Sequence, residues 1–144
     1  MLSLESEIEE IISELGVEVI EVPEFDAEGC YIAAIDTIIL DSRLSHYQRL
    51  SSLLHELGHA CKHHDNYALY NTTYSLHSKM EKDAEEFMIE KMIEVRTEDP
   101  DFNPATFNSV NFLESYDLDL KYEPVVKEFM THYFVSRNMN TIFF

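Results

Sequence analysis

The sequence predicts an α+β fold, rich in helix, with a minor sheet near the N-terminus. Three observations carry this reading: apolar residues recur at helical spacing along most of the chain, short β-branched runs are confined to residues 17–40, and there is no internal repeat or low-complexity tract.

Leu4, Ile8, Ile11, Ile12 and Leu15 follow the i, i+4, i+7, i+8, i+11 pattern of one helix face. Ser3 is its N-cap and Gly16 its stop. Val17 to Val22 is β-branched and stops at Pro23, while Cys30 to Ala34 and Thr37 to Leu40 read as two further strands paired around Ile35-Asp36. From Ser45, which with Gln48 matches a capping box, Tyr47, Leu50, Leu53, Leu54, Leu57 and Cys61 form one apolar stripe running to about His64. Asp65 to His77, polar and tyrosine-rich, reads as a loop. A third helix is predicted from Ser78 to Val95 with Met80, Ala84, Phe87, Met88, Met92 and Val95 inward, broken by Thr97-Glu98-Asp99-Pro100. Asn103 and Pro104 then supply a cap and a first helical position for Phe107, Val110, Leu113 and Tyr116. Pro124 to Phe134 gives a last helix, and the apolar Ile142-Phe143-Phe144 follows it.

A chain of 144 residues fits one domain, which buries roughly two-thirds of its unfolded surface. The expected organisation is a single domain over 1–144, with a core over 1–95 and a C-terminal helical extension over 96–144. Twenty-eight acidic residues against ten basic ones give a charge of −18, which disfavours nucleic acid and anionic lipid and favours basic partners. No stretch approaches the roughly 18 apolar residues of a membrane span. Met1-Leu2-Ser3-Leu4-Glu5 has no cationic region before an apolar run, so a cytoplasmic address is expected, with Cys30 and Cys61 as reduced, partly buried thiols.

Five of the seven histidines, His46, His55, His59, His63 and His64, fall in one helical stretch. His55-Glu56-Leu57-Gly58-His59 is an HExxH motif. On a helix its two imidazoles lie within about 40° of each other, one turn apart, and can grip one metal ion. Glu56 sits about 60° round from His59, on the flank of that face, placed to take a proton from water rather than to ligate. The apolar stripe lies opposite and anchors the helix. Gly58 is expected where a neighbouring strand or substrate comes close. A catalytic zinc needs a third protein ligand, and the next helix offers Glu81 and Glu85. Spacing alone leaves the two open, because Ser78 three residues before Glu81 makes a Ser-x-x-Glu box that would use this carboxylate as a cap. His63 is a histidine that supports a ligand, lines the cleft or is merely solvated, and His77 and Tyr74 are candidate oxyanion donors.

HELGH on a helix, His63 four residues on, and Glu81, Ala84 and Phe87 as Glu-x-x-Ala-x-x-Phe at the head of the next helix resemble the ImmA/IrrE metallopeptidases of bacteria, phages and mobile elements. The lead-in, Gly29-Cys30-Tyr31 through Ile38-Ile39-Leu40 and Leu44-Ser45, fits as well, so the resemblance covers residues 17 to 95. It implies a helix-rich, zincin-like metallopeptidase domain holding Zn2+ through His55, His59 and Glu81, with Glu56 as general base. Glu85, where that family has Asp or Asn, is then expected to hydrogen-bond a ligand histidine. The family's Leu-Leu-Met-Pro segment is absent around Ile89 to Ile93. The implied function is a zinc-dependent endopeptidase that cleaves or inactivates a helix-turn-helix repressor. The alternative is a non-catalytic, metal-bearing regulatory protein that inactivates a repressor by binding. A third reading is a structural helical protein in which the motif is fortuitous.

Overall fold

Local chemistry sets the element boundaries. In the computed structural model, which describes residues 3–64 and 74–142, α1 (Leu4–Leu15) starts where the Ser3 side chain accepts from the Ser6 N–H. It ends at Gly16, whose φ of 70° lies in the left-handed region open to a residue without Cβ. Strands β1 (Glu18–Val22), β2 (Gly29–Ile32) and β3 (Thr37–Asp41) follow. Their order is β1-β3-β2, with β1 parallel and β2 antiparallel to the central β3. The β2–β3 turn passes through a short 3-10 segment, Ala33–Ile35, and closes on Asp36 at a φ of 46°, a conformation that Asp tolerates better than most residues.

Helix α2 (His46–His63) carries the full Ser45/Gln48 capping box. Leu50, Leu53, Leu54 and Leu57 of its apolar stripe are buried with Tyr31, Ile38 and Leu40 of the sheet and with Ile8 and Ile11 of α1. Each such leucine contributes roughly 1.5–3 kcal/mol relative to exposure, so α2 is fixed as the central helix. Its C-terminal end is tied to the hairpin, because the Tyr31 hydroxyl lies 2.8 Å from His64 Nδ1 and 3.2 Å from Asp36 Oδ1. Cys61 has the angular position of the stripe but is exposed, and Cys30 is half-buried; both thiols are free. The expectation of a partly buried Cys61 fails because the described residues leave the last turn of α2 uncovered on that side.

Helix α3 (Tyr74–Glu98) begins earlier than spacing suggests and runs 25 residues. Residues 74–77, expected in the loop, are helical, and 65–73 lie outside the described residues. Met80, Ala84, Phe87, Met88 and Met92 point inward as expected. Gly58 lets α3 approach: a Cβ there would sit 3.0 Å from Ala84 Cα and 3.1 Å from its carbonyl oxygen. The close neighbour is thus a helix, not a strand or a substrate. The segment after Pro100 is two elements rather than one, a 3-10 turn at Pro104–Thr106 capped by Asn103, then α4 (Ser109–Ser115) capped by Asn108. Each Asn caps its own element, and Phe107, extended at its φ and ψ of −63° and 134°, separates the two. Helix α5 (Glu123–Ile142) returns along α3, and Phe112, Leu113, Val126 and Met130 join the same buried cluster as α1 to α3. Among the described residues no helix is long and apolar enough to cross a membrane. Phe143 and Phe144 lie outside them.

Candidate metal centre

The HExxH segment sits mid-way along α2, and because its spacing is one turn, His55 and His59 stack edge-on with ring centroids 5.1 Å apart. Glu81 of α3 meets both: His55 Nε2 is 2.9 Å from Glu81 Oε2 and His59 Nε2 is 3.0 Å from Glu81 Oε1. The three donor atoms lie within 4.8 Å of one another. Two imidazole nitrogens and a carboxylate oxygen are a donor set typical of catalytic zinc, with bonds of about 2.0–2.2 Å. The separations here are close to those between ligands of one such ion, so the residues fit the group.

The competing role for Glu81 does not arise. With α3 starting at Tyr74, Ser78 lies within the helix rather than ahead of it, and no cap at this point draws on the carboxylate.

Glu56 is 8% exposed. Its Oε1 accepts the Tyr31 backbone N–H at 2.8 Å, and its Oε2 lies 4.0 Å from His55 Nε2. The donor is available because of sheet register. The Asp41 N–H donates to the Glu28 carbonyl across the β2–β3 ladder, so by antiparallel alternation Gly29 and Tyr31 turn their backbone groups to the outer edge of β2. Gly29 also makes room, since a Cβ there would lie 3.2 Å from Glu56 Cγ.

The electrostatics follow from burial and contact. Burial pushes the Glu56 carboxyl above its ordinary range, the neighbouring histidines and the Tyr31 N–H opposing it only in part. Burial works against a charged His55 too, but the Glu81 hydrogen bond and the charges of Glu56, Glu81 and Glu85 outweigh it and raise the pKa. Burial holds His63 below the usual histidine value despite Asp83.

Beside these groups is a cleft of about 540 Å³, walled by Gly29, Ser52, His55, Glu56, Met88 and Tyr122 among others. Tyr122, just ahead of α5, has no motif around it and spacing gives no hint of it. Its hydroxyl donates to Glu85 Oε1 at 3.3 Å, and burial beside that carboxylate raises its pKa. Glu85 therefore meets a tyrosine of the cleft wall, where a ligand histidine was expected. The contact to the remote nitrogen of His59 comes instead from His63. His63 was foreshadowed by its i+4 spacing; its partner Asp83 was not. Tyr74 and His77 both fall in the first turn of α3.

A helix carrying HExxH, an edge strand alongside, and a glutamate from the following helix together define a metallopeptidase-like domain. The chain belongs to the Peptidase_M78 family, the IrrE N-terminal-like domain, whose family model matches residues 12–140. Neither a curated protein nor a solved structure matches it.

Proposed function

We propose that this chain is a zinc-dependent endopeptidase that cleaves, and so inactivates, a helix-turn-helix repressor in the cytoplasm. The observation that carries the reading is the convergence of His55, His59 and Glu81 with Glu56 held one residue away by the sheet edge. His55, His59 and Glu81 hold the ion, which when bound acidifies water and polarises the scissile carbonyl. Glu56 is anchored through Oε1 by the Tyr31 N–H, so Oε2 faces the cleft side of His55, accepts the proton of the attacking water and returns it to the leaving nitrogen. The outer edge of β2 at Gly29 aligns an extended peptide by strand addition. The charge of −18 suits a basic, DNA-binding partner.

The test is incubation of the zinc-loaded protein with basic helix-turn-helix repressors, with and without chelator, alongside Glu56→Gln. Cleavage that needs metal and is lost in Glu56→Gln supports the enzyme. Repressor inactivation that survives in Glu56→Gln without cleavage moves the reading to a metal-bearing protein that acts by binding.

A further inference from the structure

His63 is 4% exposed, and the peptidase chemistry leaves this buried polar ring without a task. It lies one turn beyond His59 on α2, with the two Nδ1 atoms 3.1 Å apart. Its Nε2 lies 3.1 Å from Asp83 Oδ2, which Lys79 Nζ also approaches at 3.5 Å. Asp83 follows Glu81 by two residues on α3, so one helix supplies both the carboxylate at the candidate ligands and the carboxylate at the far end of this chain.

Proton counting gives the chain a direction. A carboxylate only accepts, so the hydrogen between His63 and Asp83 sits on His63 Nε2. A neutral His63 then has its lone pair on Nδ1, and only one hydrogen can occupy the space between two facing ring nitrogens. That hydrogen belongs to His59 Nδ1. With Nδ1 protonated, His59 has one nitrogen left to ligate through, Nε2, the atom that faces Glu81 and His55. A cation taking the place of any proton on Nε2 leaves the other two hydrogens where they are.

We propose that His63 and Asp83 are positioning residues, a two-step relay that fixes the tautomer and ring orientation of His59 for metal binding. The proposal rests on the metal-site reading above and names what that reading leaves unassigned. A phenylalanine would fill the same space between α2 and α3, but it removes only one partner, so the buried Nδ1 of His59 loses its hydrogen bond to His63 and the variant costs stability as well. Partners of this kind typically change metal affinity by about 10–100-fold.

The experiment measures zinc affinity by competition with a chromophoric chelator, and melting of the metal-free protein, for wild type, His63→Phe, Asp83→Asn and Asp83→Leu. Nitrogen-15 NMR of the zinc-loaded wild type reads the ring protons. The expected result is a loss of about 10–100-fold in His63→Phe, together with a lower melting temperature of the metal-free protein, because the buried His59 Nδ1 loses its hydrogen bond. Asp83→Asn, whose amide oxygen still accepts, should lose less than Asp83→Leu, and His59 should show a protonated Nδ1 beside a ligated Nε2. Wild-type affinity in a folded His63→Phe, or a His59 ligated through Nδ1, overturns the relay while leaving the metal site standing. A wild type that binds no zinc overturns both. Should His63→Phe fail to fold, Asp83→Leu decides alone, because the Asp83 side chain is 32% exposed and its replacement disturbs no core; unchanged affinity there also overturns the relay.

Discussion

Glu56 shows the cost of a catalytic carboxylate at the scale of a single residue. Its folded pKa is raised by burial, so the ionised form is favoured in the unfolded chain. Stability is full while pH lies below the unfolded value, falls as pH rises from there through the raised folded value, and stays low above it. Glutamine keeps an oxygen for the Tyr31 N–H and removes the buried charge. The metal-free Glu56→Gln protein should therefore be more stable than wild type at pH 7–8, by about 0.5–2 kcal/mol, with the difference vanishing near pH 4; equal melting at pH 7.5 would contradict the cause assigned. Glu81 and Glu85 part company in the same way. Glu81→Ala should lose zinc as completely as His59→Ala, whereas Glu85→Ala, which removes the contact to Tyr122 and a negative charge near His55 but no candidate ligand, should retain it, and equilibrium dialysis with metal analysis distinguishes the two. The histidines and Glu56 were legible because their spacing encodes a helix face. Spacing left Glu81 open beside Glu85, because Ser78 offered it a local role as a cap that disappears only once the start of α3 is known; it was the resemblance that pointed to Glu81.

Among the elements, the α2–α3 contact sets the geometry of the centre, since α2 supplies the histidines and α3 the glutamate. Gly58 regulates that distance. A methyl at this position meets Ala84 backbone at 3.0 Å, and backbone cannot rotate away as a side chain can, so the helices must separate. Helix propensity alone would gain roughly 1 kcal/mol from Gly58→Ala, yet overpacking costs typically 1–3 kcal/mol. The variant should thus be destabilised or at best neutral, and should bind zinc more weakly because Glu81 recedes from His59. A gain in both melting temperature and metal affinity would show that the approach is not needed. Sequence revealed the elements wherever a cap or stop acts locally, as at Ser3, Gly16 and Ser45. It did not reveal the break between Pro104–Thr106 and α4, since Asn103 and Asn108 are both competent caps and only packing selects where the helix starts. Nor did it reveal which neighbour Gly58 admits, or that Cys61 emerges beyond the cover of its stripe, because both depend on how far other elements extend.

Across the whole molecule, charge and site act at different ranges. The 18 negative charges in excess are screened over a Debye length of about 10 Å at 0.1 M salt, whereas the centre formed by His55, His59 and Glu81 is partly or fully buried and feels salt far less. Under the proposed function the acidic surface gathers a basic substrate, and the cleft beside Glu56 cuts it. The two contributions separate by changing salt and substrate together. Raising NaCl from 50 to 300 mM should lower kcat/KM on a basic repressor by roughly 10-fold or more, chiefly through KM, as expected for electrostatically steered association. A short, uncharged peptide spanning the same cleavage site should change by less than about twofold, because it draws on the buried groups alone. Loss of rate on both substrates would place the salt effect at the metal centre, and no loss on either would remove the acidic surface from substrate capture. Only the split between them supports a division of labour in which the surface selects and the α2–α3 centre reacts.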